Sequence, residues 1–202
     1  MIRKAILLLP LAYLLGSVPW GVILTRIFGD VDVRAVGSKN IGAYNVFRVA
    51  GKRLGLMTLG GDLLKGAIPV LVGISWFGIS DWNGEVLVCL VALSAFAGHL
   101  FPVFLGFKGG KGVATAAGCI LVISPFVFLV CALVYVLVVC CWGYSSAGSL
   151  SAAAVLPGAI WLAMHSLPIT GCAFIMTLLI FVRHADNIKR LLEGTEHSSL
   201  RP

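Results

Sequence analysis

The chain reads FKGGKG at residues 107–112, between two long apolar stretches. Glycine leaves backbone N–H groups approachable, and a helix beginning at Val113 would present its positive end to the same place. Two lysines beside such backbone can receive a phosphate. The alternative is a short cytoplasmic loop, in which lysines follow the positive-inside rule and glycines turn the chain. A Walker A loop is excluded, because Gly112 stands where Ser or Thr is required.

The composition on both sides of this loop is that of a membrane protein. Of the 202 residues, 59% are hydrophobic and only 11% are charged, whereas a soluble domain is about a quarter charged. We therefore predict one all-α polytopic membrane domain over residues 1–202. The formal net charge of +7 does not indicate nucleic acid. The basic residues lie in loops between apolar segments, where membrane topology and a small anionic ligand explain them better.

The apolar segments predict a bundle of seven transmembrane helices, with five as the alternative. The first three spans are expected at about residues 5–28, 54–77 and 86–105, each close to the ~20 residues that a spanning helix needs. The apolar region 112–182 holds either two long helices or four short ones. Its prolines and its Ser-Pro pair stand where turns would be needed, which favours four helices and seven spans.

The distribution of positive charge predicts the orientation. Loops 29–53 and 106–112, the C-terminal tail and the adjoining helix ends hold 13 of the 15 lysines and arginines. The alternate loops, around residues 81–85 and 143–149, hold none. This bias outweighs the basic pair at residues 3–4. It predicts an N-terminus outside, a C-terminus in the cytoplasm and an odd number of spans.

Polar residues inside the predicted spans are few. Asp62 and Lys65 are three residues apart and share a helix face. Because charges within a span are costly, both should face the protein interior, near one end of the span. The simpler interpretation of Asp62 and Lys65 is an internal ion pair that only holds helices together. His99, close to the Lys/Gly loop, is predicted to be a packed, hydrogen-bonded histidine.

The predicted topology places three polar stretches at one membrane face. They are residues 37–48, the loop 107–112 and the start of the tail at 183–190. Together they offer a hydroxyl, an imidazole, amides, several cations and glycine N–H groups, but few carboxylates. Such a set suits a doubly charged phosphate monoester. Taken singly, Ser38 could be a turn residue and His184 an interfacial or capping histidine.

Five motifs in this order resemble those of the bacterial membrane acyl-phosphate:glycerol-3-phosphate acyltransferase family (PlsY). They begin at residues 37, 62, 98, 107 and 184 and read GSxNxGAxNVxR, DxxKG, GHxxPVF, FKGGKGVAT and HxxNIKRL. The set is far more specific than any one motif, and it covers most of the chain. This sequence departs from the commoner form at Lys39, often glycine, and at Tyr44, often threonine.

The resemblance implies a seven-span enzyme of the bacterial cytoplasmic (inner) membrane, with its active site on the cytoplasmic face. It would transfer a fatty acyl group from acyl phosphate to the 1-hydroxyl of sn-glycerol 3-phosphate. The products would be 1-acyl-sn-glycerol 3-phosphate (lysophosphatidic acid) and phosphate, in the first acylation of phospholipid synthesis. Acyl phosphate, glycerol 3-phosphate and membrane lipid are the expected partners. No cofactor and no metal are expected, because the donor carries its own activation. The oligomeric state is not predicted, and a monomer is compatible with the sequence.

The resemblance also implies the site residues. The residues expected to be catalytic are Ser38, Lys111, His184 and Asn187. The residues expected to bind substrate are Asn40, Gly42, Asn45, Arg48, Lys108, Gly109, Gly110, Gly112 and Thr115. Of the two lysines in the loop, Lys111 is the better candidate for direct phosphate contact, because it adjoins the following helix.

The proton acceptor stays open at this stage. His184 could be the base, or a phosphate oxygen of a substrate could take the proton while Ser38, His184 and Asn187 orient the hydroxyl. The second is favoured, because the sequence places no carboxylate to support His184. No histidine has an aspartate five residues on, which excludes the His-x4-Asp pair of the soluble-type glycerolipid acyltransferases. An anion transporter is the main rival, but it would call for inverted repeats and polar residues at mid-membrane.

Overall fold

The computed structural model describes residues 1–198, and every regular element in that part of the chain is helical. A short 3-10 helix at Val103–Leu105 separates the fifth and sixth α-helices. The α-helices of residues 1–198 are α1 (Ile2–Gly16), α2 (Trp20–Phe28), α3 (Ala43–Ala50), α4 (Lys52–Phe77), α5 (Trp82–Leu100), α6 (Val113–Ile123), α7 (Pro125–Trp142), α8 (Ser145–Met164), α9 (Leu167–Arg183) and α10 (Ala185–Leu192). The predicted all-α class is confirmed.

Four of the helical segments described are long and apolar enough to cross a membrane alone. They are α4, α5 with the 3-10 helix after it, α7 and α8. The pair α1 and α2, bent by 42°, and the pair α9 and α10, bent by 61°, could each form one broken span, which gives at most six. α6 has 11 residues, so it is only about 16 Å long against a hydrocarbon core of about 30 Å. Seven spans would require α6 to count as one, and that number is not confirmed.

Four helices, α6 to α9, fill the region from Gly112 to Val182, as its turn signals predicted. The hydroxyls of Ser124 and Ser166 accept hydrogen bonds from the backbone N–H groups of α7 and α9, each three residues further on. Each helix also has proline in its first turn, where the missing N–H costs no hydrogen bond.

Pro157 is the exception among these signals, because it lies inside α8 and marks no turn. A proline has no N–H to offer the carbonyl oxygen four residues earlier, which here belongs to Ala153. The hydroxyl of Thr177 on α9 donates to that oxygen at 2.8 Å. A neighbouring helix therefore replaces the missing hydrogen bond, which is how lipid-embedded helices tolerate proline.

The chain forms two compact units, the first from Met1 to Val122 and the second from Ile123 onward. In the first unit, α1 packs on α4 and α5, while α4 packs on α5, α3 and α2. In the second unit, α8 packs on both α7 and α9. The prediction of a single domain over residues 1–202 stays a prediction.

Asp62 and Lys65 form a buried ion pair in the middle of α4, not near one end as predicted. The Nζ atom of Lys65 lies 2.9 Å from Oδ1 of Asp62, and the two side chains are 1% and 3% exposed. Nζ also donates to the carbonyl oxygen of Val18 at 3.0 Å. Val18 lies in the link between α1 and α2, where the helix is interrupted. The break offers the ammonium group a backbone acceptor, so the charges can lie at the centre of α4.

Replacing Lys65 by methionine would leave the carboxylate of Asp62 buried without its cation. Breaking a buried pair in this way costs about 3–5 kcal/mol, and we expect that loss in the free energy of unfolding, measured in mixed micelles of SDS and a non-ionic detergent. The double variant Asp62→Leu/Lys65→Met is the control. It should recover most of the loss, because apolar residues often replace a buried pair at little cost. A single variant as stable as the parent would contradict this account of the pair.

Candidate active site

Asn45 organises the loop that carries Ser38. The Oδ1 atom of Asn45 accepts a hydrogen bond from the backbone N–H of Ser38 at 2.9 Å. Its Nδ2 donates to the carbonyl oxygens of Val33, Asn40 and Val36 at 3.0, 2.9 and 3.2 Å. The side chain is buried in the first turn of α3, so the helix fixes the loop through this amide. In this structure Asn45 holds the backbone of Ser38 in place. The predicted direct contact of Asn45 with substrate stays a prediction.

The backbone on both sides of Ser38 is in the left-handed region. The φ angle is +61° at Gly37 and +56° at Lys39. Glycine adopts this conformation readily, and a Cβ atom at Gly37 would overlap Oδ1 of Asn45. For a residue with a Cβ atom, such as Lys39, the conformation costs roughly 1–2 kcal/mol. Ser38 is thus exposed at the tip of a tight turn.

The other predicted residues of the first stretch surround this turn. Asn40 and Gly42 are half-buried, and Gly42 is the N-cap of α3. Arg48 is exposed in the last turn of α3. The apolar cluster below them consists of Val22, Leu24, Val33, Ile41, Val46 and Leu54. Leu105, which precedes the Lys/Gly loop, packs against this cluster. The first polar stretch and the approach to the Lys/Gly loop therefore share one apolar support.

The Lys/Gly loop, residues 107–112, lies directly on the end of α5. The backbone N–H of Gly110 donates to the carbonyl oxygen of His99 at 3.1 Å. A Cβ atom at Gly110 would overlap Nε2 of the same histidine. Gly112 has φ of +84°, and a Cβ atom there would overlap the ring of Phe96. Close packing on α5 therefore requires glycine at these two positions, whether or not a phosphate is bound.

The remaining members of the loop differ in exposure. Lys108 is exposed, whereas Lys111 is half-buried two residues before α6 begins. Gly109 is half-buried, and a Cβ atom there would overlap the carbonyl oxygen of His99. The sequence argument distinguished the two lysines by their position, and the structure places Lys111 beside the N-terminus of α6.

A chain of buried polar side chains lies beneath the loop. The Nδ1 atom of His99 is 3.0 Å from Oγ1 of Thr115 and 3.7 Å from Oδ1 of Asp62. His99 is packed and hydrogen-bonded, as predicted. Thr115 was predicted to bind substrate, but its side chain is fully buried and its hydroxyl pairs with His99. Its contact with substrate stays a prediction. The approach of Asp62 to His99 was missed, because it depends on how α4 packs on α5.

His184 and Asn187 lie in the second unit, where α9 bends into α10. Both are buried, with 2% and 6% exposure, and they are one turn apart. The Nδ1 atom of His184 is 2.8 Å from the carbonyl oxygen of Ile180. A carbonyl oxygen can only accept, so Nδ1 carries the hydrogen, and the lone pair of the neutral ring is on Nε2.

Glu196 is a residue of this region that sequence reasoning missed. Its Oε1 accepts from Nδ2 of Asn187 at 2.7 Å and from the hydroxyl of Ser146 at 2.8 Å. Its Oε2 accepts from Nε of Arg190 at 2.7 Å. Burial alone would raise the pKa of the Glu196 carboxyl, but these three hydrogen bonds and the charge of Arg190 outweigh it and lower the pKa. The only sequence signal was a carboxylate in a basic tail, which usually indicates a solvated charge.

Replacing Glu196 by alanine removes the acceptor of three donors. We expect the free energy of unfolding to fall by about 2 kcal/mol. Activity should fall as well, since the amide of Asn187 loses the group that orients it. The lowered pKa adds a pH signature. The contribution of Glu196 to the free energy of unfolding is fully present above pH 4.5, the ordinary pKa of a glutamate. That contribution is lost as the pH falls through the lower pKa of Glu196 in the folded protein.

The measurement is thermal unfolding as the pH is lowered from 7 through 4.5 and below. The parent should lose stability on acidification more steeply than Glu196→Ala. The matched control is Glu193→Ala. Glu193 lies in the same tail, but it is half-exposed, and the Nζ atom of its partner Lys189 is as far as 4.0 Å from Oε1. Identical pH profiles for the parent and Glu196→Ala would show that the contact contributes nothing.

Comparison with known proteins places this chain in one family. The family model described as glycerol-3-phosphate acyltransferase matches residues 6–194. A protein of that name from Syntrophotalea carbinolica is 48% identical over 186 residues, which is 92% of this chain and 93% of the relative. Those from Trichlorobacter lovleyi and Geobacter sulfurreducens are 45% identical over 185 residues and 43% identical over 192 residues. They cover 92% and 95% of this chain, and 92% and 96% of their own lengths.

Two crystal structures of PlsY (YgiH), an integral membrane glycerol 3-phosphate acyltransferase, have the same fold. The glycerol 3-phosphate form has a TM-score of 0.91 and 40% identity, over 96% of this chain and 95% of that chain. The lysophosphatidic acid form has a TM-score of 0.89 and 39% identity over the same shares. The fold is therefore that of an integral membrane acyltransferase. The chain belongs to the glycerol-3-phosphate acyltransferase family, which confirms the resemblance carried by the five motifs.

Proposed function

We propose that this protein transfers a fatty acyl group from acyl phosphate to the 1-hydroxyl of sn-glycerol 3-phosphate. The products are 1-acyl-sn-glycerol 3-phosphate (lysophosphatidic acid) and phosphate, in the first acylation of bacterial phospholipid synthesis. The observation that carries the acceptor and the product is the similarity to PlsY in its glycerol 3-phosphate and lysophosphatidic acid forms. These two molecules differ by one acyl group, so they are the substrate and product of a single acylation.

Acyl phosphate as the donor is supported by the chemistry of the polar residues. An acyl phosphate is a mixed anhydride. The acceptor oxygen bonds to the acyl carbon, the bond from that carbon to the phosphate oxygen breaks, and phosphate leaves with the electron pair. Both substrates then carry phosphate groups, which suits the cations and glycine N–H groups of residues 37–48 and 107–112. The acyl chain stays in lipid while its phosphate lies at the membrane boundary.

The assigned roles follow from charge and position. Lys111, beside the N-terminus of α6, holds a substrate phosphate together with backbone N–H groups at the end of the Lys/Gly loop. The N–H groups of Phe107, Lys108 and Gly110 already donate to backbone carbonyl oxygens within the protein. Arg48 supplies a further cation at the end of α3.

Ser38, exposed at its tight turn, positions the acceptor hydroxyl. Asn187 is a further catalytic residue, in the second unit, and Glu196 orients its amide. Positioning two anionic substrates side by side is then the main catalytic contribution of the protein.

The proton of the acceptor hydroxyl is taken by a phosphate oxygen of a substrate, with His184 as an orienting group. In a Ser-His-Asp triad, a carboxylate accepts from Nδ1 of the histidine and stabilises the imidazolium that forms. Here Nδ1 of His184 donates to the neutral carbonyl of Ile180. That contact fixes the ring, and a neutral carbonyl stabilises an imidazolium less than a carboxylate does.

The proposed topology has seven spans, an N-terminus outside and a C-terminus in the cytoplasm of a bacterium. The active site lies on the cytoplasmic face of the inner membrane, where the basic loops gather. One contact within the first unit supports this orientation. The Nζ atom of Lys4 lies 5.6 Å from the ring centroid of Trp76. The N-terminus is therefore at the same end of the unit as the loop after α4, which carries no lysine or arginine.

The donor is tested by comparing acyl phosphate with acyl-coenzyme A as substrates of the purified protein. With glycerol 3-phosphate as acceptor, we expect lysophosphatidic acid from acyl phosphate, without added metal, because the anhydride supplies the activation. Heat-inactivated protein is the control, since mixed anhydrides also acylate slowly by themselves. Turnover of acyl-coenzyme A together with no turnover of acyl phosphate would contradict the proposed donor.

The phosphate ligands are tested by Lys111→Ala and Arg48→Ala. Removing one donor to the developing charge costs about 3 kcal/mol, which corresponds to a loss of about 100-fold in kcat/KM. The matched control is Lys52→Ala, which removes an exposed basic residue two positions after the end of α3 and should leave the rate unchanged. All variants should insert into the membrane normally. Rates equal to the parent would remove Lys111 and Arg48 from the site.

A further inference from the structure

We propose that His99 is a positioning residue, which sets the shape of the Lys/Gly loop and thereby the position of Lys111. The inference rests on the proposed function, which assigns this loop to phosphate binding. It gives a role to a buried histidine to which neither the predicted site residues nor the proposed mechanism assigns one.

His99 contacts the loop through both its backbone and its side chain. Its carbonyl oxygen accepts the N–H of Gly110 at 3.1 Å. Its imidazole lies so close to Gly110 that a Cβ atom there would overlap Nε2. Lys111 is the next residue along the chain. A shift or rotation of the imidazole would therefore move the backbone immediately before Lys111.

The same imidazole joins the two ends of the loop. His99 lies in the last turn of α5, and Thr115 lies in the first turn of α6. Nδ1 of the first and Oγ1 of the second are 3.0 Å apart and buried. The loop connects these two helices, so this hydrogen bond links the helix before the loop to the helix after it. Its length and direction constrain how far apart the two helix ends can lie.

The ion pair of α4 lies close to the same ring nitrogen of His99. Oδ1 of Asp62 lies 3.7 Å from Nδ1 of His99, and Asp62 is itself paired with Lys65 at 2.9 Å. Lys65 is anchored on the carbonyl oxygen of Val18. These contacts restrict the orientation of the imidazole, because its neighbours are themselves fixed to helices that pack on one another.

A purely structural role would not require this chemistry. Apolar side chains could close the base of the loop without the cost of burying an imidazole, a hydroxyl and two charges. Directional hydrogen bonds are useful where a position must be defined closely. A misplacement of about 1 Å in a substrate-binding group can cost about 100-fold in rate. We therefore expect loss of this network to affect catalysis more than stability.

The first test is Thr115→Val, which keeps the shape of the side chain and removes the hydrogen bond to His99. We expect kcat/KM for glycerol 3-phosphate to fall at least tenfold, while KM for acyl phosphate changes little. Thermal stability should fall only as far as the loss of one buried hydrogen bond requires. Thr115→Ser should restore most of the rate. The matched control is Thr58→Val, because Thr58 is also fully buried and its hydroxyl donates within α4, to the carbonyl oxygen of Leu54 at 2.8 Å. Parental activity in Thr115→Val, or equal losses of activity and stability in both valine variants, would overturn the proposal.

The second test separates an effect through His99 from direct contact of Thr115 with substrate. His99→Leu removes the polar ring, and His99→Asn keeps a hydrogen-bonding atom at the δ position, so the asparagine variant should be the more active. In the His99→Leu background, Thr115→Val should lower the rate less than twofold further, since both changes break the same contact. Losses that multiply would assign Thr115 to the substrate and overturn the proposal.

Lys111→Ala distinguishes failure of this inference from failure of the proposed function. An inactive Lys111→Ala together with a normal Thr115→Val would overturn the role of His99 and leave the loop as a phosphate site. A fully active Lys111→Ala would overturn the assignment of the loop itself, and the inference with it.

Discussion

The ion pair between Asp62 and Lys65 is the contact on which the first unit depends most. A charge within an apolar helix bundle is tolerated only where partners surround it. Here the partners come from three places: the other member of the pair, the carbonyl of Val18 at the break between α1 and α2, and the nearby imidazole of His99. The pair therefore links the interrupted first helices to α4 and to the end of α5. The position of the Lys/Gly loop follows from that arrangement.

In both units, buried polar side chains hold the residues proposed to meet the substrates. Asn45 fixes the loop of Ser38 by accepting from its N–H. Glu196 orients the amide of Asn187 by the same kind of hydrogen bond. The glycines of the Lys/Gly loop have a comparable structural reason, because the backbone at Gly110 lies against His99 with no room for a side chain. The phosphate site proposed for this loop would then depend on how closely the loop packs on the end of α5.

The sequence predicted what depends on local patterns and on the family motifs. It identified an all-α membrane protein, four helices in residues 112–182, a packed His99 and the pairing of Asp62 with Lys65. It could not place that pair at the centre of α4, because the acceptor is a backbone carbonyl in another helix link. It misread Pro157 as a break, because the compensating hydroxyl of Thr177 lies on α9. Glu196 was missed for the same reason, since its partners come together only in the folded chain.

The central claim is that an acyl group, not a phosphoryl group, moves between two phosphate-bearing substrates. The most direct test uses acyl phosphate labelled with ³²P, unlabelled glycerol 3-phosphate and the purified protein, with the lipid and aqueous products counted separately. We predict equal molar amounts of labelled inorganic phosphate and of lysophosphatidic acid that carries no label. Labelled glycerol bisphosphate in the aqueous fraction, together with free fatty acid, would indicate phosphoryl transfer. Labelled inorganic phosphate released with free fatty acid and without lysophosphatidic acid would indicate hydrolysis. Either result would contradict the account.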